Sequence, residues 1–241
     1  MARNGSKPVD SSETPVEALF QKQGSRGVEL AQIPRNLLFR FRFNCARIEK
    51  IDPRKMFELP PSCTLPDVCR LEGRPPFALW RVAWNDAGLF FTSSVTRKNQ
   101  SLWCRPTQIL DSDSLQLWVD TRDTHNVHRA TRYCHWFVIL PTGPQGRESA
   151  SGRMLRINRA REDSPTLNRG EIIAHSVIKK GGYELACHLP SHLLNGWSPT
   201  EQPNIGFFAA QIDREHGWQT LGTGPELPIA ENPSLWATLQ L

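Results

Sequence analysis

A group of histidines and a cysteine near the middle of the chain offers side chains that could bind a metal ion. His125 and His128 form an HxxH spacing, and Cys134 and His135 follow. Imidazole nitrogen and thiolate sulfur are common zinc ligands, so three ligands are available here. The spacing matches no standard zinc site, and no acid/base partner is evident. We therefore favour a polar loop whose histidines bond to backbone or to aspartate, and keep a metal enzyme as the weakest hypothesis.

Four aspartates near the same segment could bind calcium through oxygen atoms: Asp111, Asp113, Asp120 and Asp123. They lack the glycine that sharpens an EF-hand loop, and carboxylates that flank a strand are usually solvated turn residues. Calcium is the one cofactor that we retain as a prediction.

The sequence shows no signature of covalent or phosphate chemistry. It contains no GxSxG motif, and no Asp or Glu stands out in an apolar strand, where burial would raise the pKa of an acid. Lys180-Gly-Gly182 is typical of a hairpin turn rather than a phosphate-binding loop. We predict that the protein is not an enzyme.

The basic residues do not indicate a nucleic-acid partner. Lys plus Arg total 29 and Asp plus Glu total 24, a net charge of +5. The densest run is Arg153, Arg156, Arg159 and Arg161, and charge beside a Gly/Ser loop is typical of a solvated edge strand. We expect no nucleic-acid partner.

No apolar stretch is long enough for a membrane span, and the first residues lack the apolar segment of a secretory signal. We expect no membrane partner and a cytoplasmic location. The six cysteines should then be thiols, several of them buried. In an exported protein, Cys63 and Cys69 would be the first disulfide pair to consider.

The aromatic residues carry the remaining signal, because the chain has eight Trp but only two Tyr. An indole offers a flat apolar face with a polar tip, which suits the C–H face of a sugar. Trp103, Trp197 and Trp218 lie in or beside predicted loops and are the candidate platforms. Trp118 is ambiguous, and the other four fall in strand patterns and are predicted to be structural: Trp80, Trp84, Trp136 and Trp236.

The elements that must position these residues are short strands. Alternating or apolar runs predict strands over 37–43, 80–84, 89–95, 113–120, 134–140, 172–179, 183–189, 205–212 and 236–241. Helical patterns do not alternate with them, so we predict an all-β protein, an antiparallel β-sandwich of jelly-roll-like form. Residues 1–34, rich in Ser, Gly, Lys, Glu and Pro, are predicted to be a disordered, flexible tail before a domain at 35–241.

Four motifs in order resemble family 9 carbohydrate-binding modules, within the DOMON-like β-sandwiches, from about residue 77 to 241. They are VAWNDAGLFF (82–91), DSLQLWVD (113–120), GYELACHLP (182–190), and IGFFAAQID (205–213) with NPSLWATLQL (232–241). The resemblance implies a noncatalytic sandwich, often calcium-bearing, that binds sugar between two tryptophans. Leu110 and Ala230 stand near those two positions here.

We therefore predict a carbohydrate-binding-module-like domain that holds a glycan by Trp stacking and hydrogen bonds. The candidate ligand-binding residues are Trp103, Gln116, Trp118, Asp120, Arg122, His135, Trp197 and Trp218. The alternative is a protein-interaction or scaffold domain that keeps the fold, with the Arg-rich loop and the N-terminal tail as docking elements for a protein partner.

Overall fold

Twelve strands dominate the structure, a computed structural model that describes residues 35–105, 107–143, 150–169 and 172–241. The strands are β1 Arg42–Asn44, β2 Ala46–Arg47, β3 Ala78–Asn85, β4 Gly88–Val95, β5 Ser114–Asp120, β6 Cys134–Leu140, β7 Ser151–Leu155, β8 Ile173–Lys179, β9 Gly182–Pro190, β10 Asn204–Asp213, β11 Gly217–Thr220 and β12 Ala237–Gln240. Short 3-10 helices span Arg35–Leu38, Pro53–Glu58, Pro61–Cys63, Cys69–Glu72, Ser191–Leu193 and Pro233–Leu235. The predicted tail, 1–34, lies outside the described residues.

The strands form two sheets, as expected for the predicted all-β sandwich. The first sheet has the order β1-β12-β10-β5-β6-β7, with β11 also paired to β10, and the second has the order β2-β3-β4-β9-β8. The pairing is antiparallel except for β1 with β12 and β2 with β3, which are parallel. The sheets are therefore mixed rather than wholly antiparallel, because residues 42–47 contribute one short edge strand to each sheet.

Most predicted strands are confirmed, and the differences fall at the sheet edges. The predicted strand over 37–43 pairs only from Arg42, because Arg35–Leu38 is a 3-10 helix. The Gly/Pro/Ser loop predicted over 141–153 overlaps β7, which begins at Ser151, and Arg153 on β7 belongs to an edge strand, as its charge indicates. No helix among these residues is long and apolar enough to cross a membrane.

The core lies between the sheets and follows from strand alternation. Leu115, Leu117 and Val119 of β5 point inward, toward side chains such as Phe91 of β4 and Leu185 of β9. All five are almost fully buried. Burial of such side chains on both inner faces is the main favourable contribution to the fold.

The outward faces are also covered, which explains why β5 and β6 are buried on both sides. Trp118, Trp136, Phe208 and Trp236 form an apolar layer outside the first sheet, and the segment around Ile229 packs on it. Residues 46–63 cover part of the second sheet in the same way. The outer face of the first sheet is therefore covered around β5, whereas β8 of the second sheet keeps exposed side chains.

The β3–β4 hairpin shows why one turn residue has to be glycine. Gly88 has φ of +133°, and a Cβ there would collide with the Leu189 carbonyl oxygen of β9. The side chain of Asn85 accepts a hydrogen bond from the Ala87 N–H at 2.9 Å and closes the turn. The sequence Asn-Asp-Ala-Gly therefore forms the hairpin that its composition predicts.

Candidate functional site

A groove of about 560 Å³ lies at one end of the sandwich, beside the turn between β10 and β11. Trp218 lines it with an indole that is 37% exposed, the most open Trp in the described part of the chain. The lining residues are Cys69, Arg74, Pro75, Phe77, Arg97, His216, Gly217, Trp218 and Gln219. The groove thus combines an apolar platform with three side chains that donate hydrogen bonds, from two arginines and a histidine.

Buried polar contacts hold the walls of this groove in place. The Gln219 side chain accepts hydrogen bonds from the N–H groups of Phe77 and Ala78, both at 2.8 Å, and donates to the Ala78 carbonyl at 2.7 Å. The ring of Phe77 packs on His216 with centroids 5.0 Å apart. These contacts bind β11 to the start of β3 and so hold the backbone that carries Trp218 in place.

A buried ion cluster lies behind the same turn. The ammonium of Lys98 is 2.8 Å from Asp213 Oδ2 and 3.1 Å from Asp113 Oδ2, and all three side chains are buried. Burial alone would lower the pKa of Lys98, but its hydrogen bonds to Asp213 and Asp113 outweigh that effect and raise the pKa. The lysine therefore stays charged and neutralises one of the two carboxylates.

Trp103, a predicted platform, lies on the other side of this turn and is half-buried. The Arg214 guanidinium lies 3.9 Å from the ring centroid, and Arg105 lies 5.2 Å from it. The backbone N–H of Trp103 donates a hydrogen bond to Asp113 Oδ2 at 3.0 Å. Arginine thus covers indole surface that a sugar would need, and Trp103 is less open than Trp218.

Trp197 and Arg122 lie together at the opposite end of β5. The indole of Trp197 packs edge-on against Trp84 with centroids 6.4 Å apart. The Arg122 guanidinium donates to the Gly196 carbonyl at 3.3 Å and lies 4.6 Å from the Tyr133 ring centroid. A seven-residue strand separates this end from Trp218, about 20 Å at the rise of an extended chain. The structure therefore divides the predicted site residues between two ends.

The other four candidate residues are buried, so they present no surface to a sugar. Trp118 stacks on Trp136 at 5.5 Å, and Gln116 accepts a hydrogen bond from the Trp136 indole at 3.2 Å. Asp120 accepts hydrogen bonds from the N–H groups of Arg122 and Thr124. We correct our expectation for these residues: they hold the β5–β6 region together.

His135, the fourth of these, shows why a polar residue in a strand can mislead. Its Nε2 accepts a hydrogen bond from the Asn195 N–H at 2.9 Å, and its Nδ1 lies 3.3 Å from the Val119 carbonyl. Burial lowers the pKa of His135 to about 4. The ring is therefore neutral near pH 7 and serves as an internal hydrogen-bonding group.

The predicted zinc ligands have separate partners. His125 Nε2 lies 2.9 Å from Asp123 Oδ1, and His128 Nδ1 lies 3.1 Å from the Ser234 hydroxyl. Burial raises the pKa of the Cys134 thiol to about 12, which opposes the thiolate that zinc requires. Because of these separate contacts and the hydrogen bonds of His135, the four side chains do not converge on one point at which they could bind a metal ion.

The four aspartates considered for calcium are likewise separated along β5. Asp111 pairs with Arg105 at 2.7 Å, and Asp113 pairs with Lys98. Asp120 and Asp123 lie at the far end of the strand. The residues do not fit one calcium site, because Asp111 and Asp113 precede β5 whereas Asp120 and Asp123 lie at its other end.

The six cysteines are unbridged, and five of them are buried and one is half-buried. Cys63 and Cys69 are not bridged. Burial raises the pKa of the Cys69 thiol, so the groove wall carries a neutral thiol rather than a reactive thiolate.

The architecture is similar to that of two solved structures. No protein-family model and no curated protein matches the chain. A family 9 carbohydrate-binding module from Caldicellulosiruptor kristjanssonii, in complex with glucose, has a TM-score of 0.52 and 12% identity, over 83% of this chain and 95% of that one. The same kind of module in complex with cellotriose has a TM-score of 0.51 and 14% identity, over 83% and 93%. The chain has the fold of family 9 carbohydrate-binding modules.

Residues other than tryptophan stand near the two positions at which the resemblance to family 9 modules implies the tryptophans that hold a sugar. Leu110 is exposed, and Ala230 packs against the apolar layer outside the first sheet. Neither position offers an indole, whereas Trp218 does so in the groove.

Sequence reasoning found Trp218 but missed Arg74 and Arg97. Both lie in segments that carry no motif, Arg74 in the irregular connection before β3 and Arg97 just after β4. Only the fold brings these segments beside β11. Arg74 stands between Gly73 and Pro75, which indicate a turn, whereas no such signal marks Arg97.

Proposed function

We propose that the protein is a noncatalytic carbohydrate-binding domain and that the Trp218 groove holds the sugar. The observation that carries this proposal is the exposed indole of Trp218 in a groove with arginine and histidine donors. A sugar ring needs an apolar face for its C–H groups and donors for its hydroxyl oxygens, and the groove offers both. The shared fold with sugar-bound family 9 modules supports the same reading.

The composition of the groove also supports binding without catalysis. Its lining contains no Asp or Glu, so it lacks the carboxylate pair on which most glycoside hydrolases depend. Its one thiol, Cys69, has a raised pKa and is a poor nucleophile at neutral pH.

The test is a glycan array followed by titration calorimetry on each glycan that binds. Trp218→Ala should weaken binding at least about tenfold, a loss of about 1.4 kcal/mol. Leu110→Ala is the matched control, because it removes an exposed apolar side chain near the position where the resemblance implies a clamp. It should leave affinity within twofold.

Two results would contradict the proposal. One is an array on which no glycan binds. The other is a glycan whose affinity falls with Leu110→Ala and is unchanged by Trp218→Ala, which would place the sugar at the position of the family clamp.

A second proposal, a protein-interaction domain, rests on a different surface. Leu37, Leu38 and Phe39 are exposed in a row at the start of the described chain, with Leu38 72% exposed. Clustered exposed apolar side chains are typical of protein contact sites. If a defined partner co-purifies with the protein, Leu38→Ser with Phe39→Ser should abolish that contact, and binding that persists would exclude this surface.

A further inference from the structure

We propose that the ligand of the Trp218 groove is an acidic sugar, whose carboxylate or sulfate is bound by Arg74 and Arg97. This inference rests on the proposed carbohydrate-binding function and specifies its substrate class. The guanidinium group offers paired N–H donors that match the geometry of a carboxylate or sulfate. A neutral sugar would leave both positive charges unused.

The charge balance of the groove is one-sided. Two arginines, Arg74 and Arg97, line it, and no acidic side chain does. Among the residues that the structure describes, no carboxylate lies within 4.0 Å of either guanidinium as an ion pair, whereas Arg70 nearby pairs with Asp67 at 3.0 Å. The two arginines therefore remain available for an anionic ligand.

The carboxylates of the β10–β11 turn are already bound to other donors. Asp213 accepts both contacts from the Lys98 ammonium, at 2.9 and 2.8 Å. Glu215 accepts hydrogen bonds from the N–H groups of Asn99 and Gln100 at 2.9 and 2.8 Å. Both groups lie within 4.8 Å of a His216 ring nitrogen, and neither forms an ion pair with Arg74 or Arg97 in the part of the chain that the structure describes.

The carboxylate on the connection before β3 is likewise engaged. Glu72 accepts a hydrogen bond from the Asn36 N–H at 3.1 Å. Glu72 and Glu215 therefore have hydrogen-bond partners of their own, and neither forms an ion pair with Arg74 or Arg97 among the described residues.

Arg97 is held in position by the fold. Its backbone has φ of +64°, in the left-handed region, where non-glycine residues are uncommon and strain is often found at ligand-binding sites. The Thr96 N–H donates to the Phe77 carbonyl at 3.0 Å, and the Lys98 N–H donates to the Gly181 carbonyl at 2.9 Å. The Arg97 guanidinium also donates to the Pro76 carbonyl. These contacts on both sides orient the side chain along the groove wall.

The experiment measures calorimetric affinity for three oligosaccharides of similar length: a neutral cello-oligosaccharide, an oligogalacturonate and a heparin-derived oligosaccharide. A fourth probe is a single-stranded oligothymidylate. The variants are Arg74→Gln and Arg97→Asn, the latter because Asn tolerates the left-handed region. The matched control is Arg54→Gln, which removes the same charge from an exposed site outside the groove.

At least one acidic oligosaccharide should bind tenfold or more tightly than the neutral one at 50 mM salt. Each groove variant should lower that affinity fivefold or more and leave the neutral affinity within twofold, with Arg54→Gln unchanged. Raising the salt to 500 mM should weaken the acidic ligand alone, since screening acts on the charged contacts. Preference for oligogalacturonate or for the heparin fragment identifies the anionic group.

The failures can be told apart. Equal affinity for neutral and acidic sugars, lost with Trp218→Ala, would overturn the inference and leave the proposed function standing. No binding of any sugar would overturn both. Tighter binding of the oligothymidylate, lost with the arginine variants, would overturn the inference in favour of a nucleic-acid site.

Discussion

His135 should make the stability of this domain fall as the pH falls from neutral to about 4. The side chain is 1% exposed, and burial lowers its pKa from 6.5 to about 4. Since a backbone N–H of Asn195 donates to Nε2, the ring must be neutral with its proton on Nδ1. Protonation of Nε2 would break this hydrogen bond and place a charge in the interior.

The sign and size follow from proton linkage. Between pH 6.5 and pH 4 the unfolded chain binds a proton at this residue and the folded chain does not, so stability decreases as the pH falls through that window. With these two pKa values the free energy of unfolding should drop by about 2 kcal/mol between pH 7 and pH 5 from His135 alone. Burial also lowers the pKa of His188, which adds a change in the same direction.

The assay is urea unfolding at pH 7, 6 and 5, with intrinsic Trp fluorescence and far-UV dichroism as two probes. His135→Gln replaces the ring by a neutral amide that can accept from the Asn195 N–H. We expect it to be less stable at pH 7 by about 1–3 kcal/mol, yet to lose about 2 kcal/mol less than the parent on going to pH 5.

Ile139→Val, on the same strand β6, is the control, because it should cost about 1 kcal/mol and retain the histidine. Its loss of stability between pH 7 and pH 5 should equal that of the parent. If His135→Gln shows the full pH dependence of the parent, the ring titrates near its ordinary pKa and the reasoning from burial is wrong.

Three substitutions test other parts of the structure by urea unfolding at pH 7. Lys98→Met leaves two buried carboxylates without their cation and should lower the free energy of unfolding by about 3–5 kcal/mol. The exposed control, Lys55→Met, should lower it by under about 0.5 kcal/mol. Equal effects of the two variants would refute the buried ion cluster. Gly88→Ala should cost about 2–4 kcal/mol, because its Cβ meets a β9 carbonyl, and a neutral result would mean that the hairpin relaxes. Trp236→Ala should lower the free energy of unfolding by about 3–5 kcal/mol, because this indole is buried, and Trp218→Ala by under about 0.5 kcal/mol, because this indole is exposed. The reverse order would mean that the burial assigned to the two indoles is wrong.

Local sequence patterns were sufficient for the strands that carry the core. Alternation in 113–120 and the apolar run of 134–140 place β5 and β6 correctly, because inward and outward positions are fixed by the two-residue period of a strand. The short strands β2 and β11 have two and four residues, too few for a period to be visible. Their existence depends on pairing partners from distant parts of the chain.

The candidate site was predictable only in part, for the same physical reason. Trp218 stood out as an aromatic residue beside a turn, whereas Arg74 and Arg97 enter the groove through the packing of separate segments. Gln116 and Trp118 lie on the outward face of β5, as their register indicates. The sequence does not show that a later segment, which includes Trp236, covers that face.

The parallel pairing of β1 with β12 has a consequence for folding on the ribosome. Arg42 of β1 pairs with Thr238 of β12. During synthesis, β1 therefore has no partner until β12, the last strand of this sheet in chain order, has been made. Until then, β1 and the neighbouring Phe41 remain uncovered, and such unpaired edges are where nascent chains aggregate. Contacts of this range also slow folding. Removal of 237–241 should therefore leave a chain that needs chaperone protection, even though it keeps every strand of the second sheet.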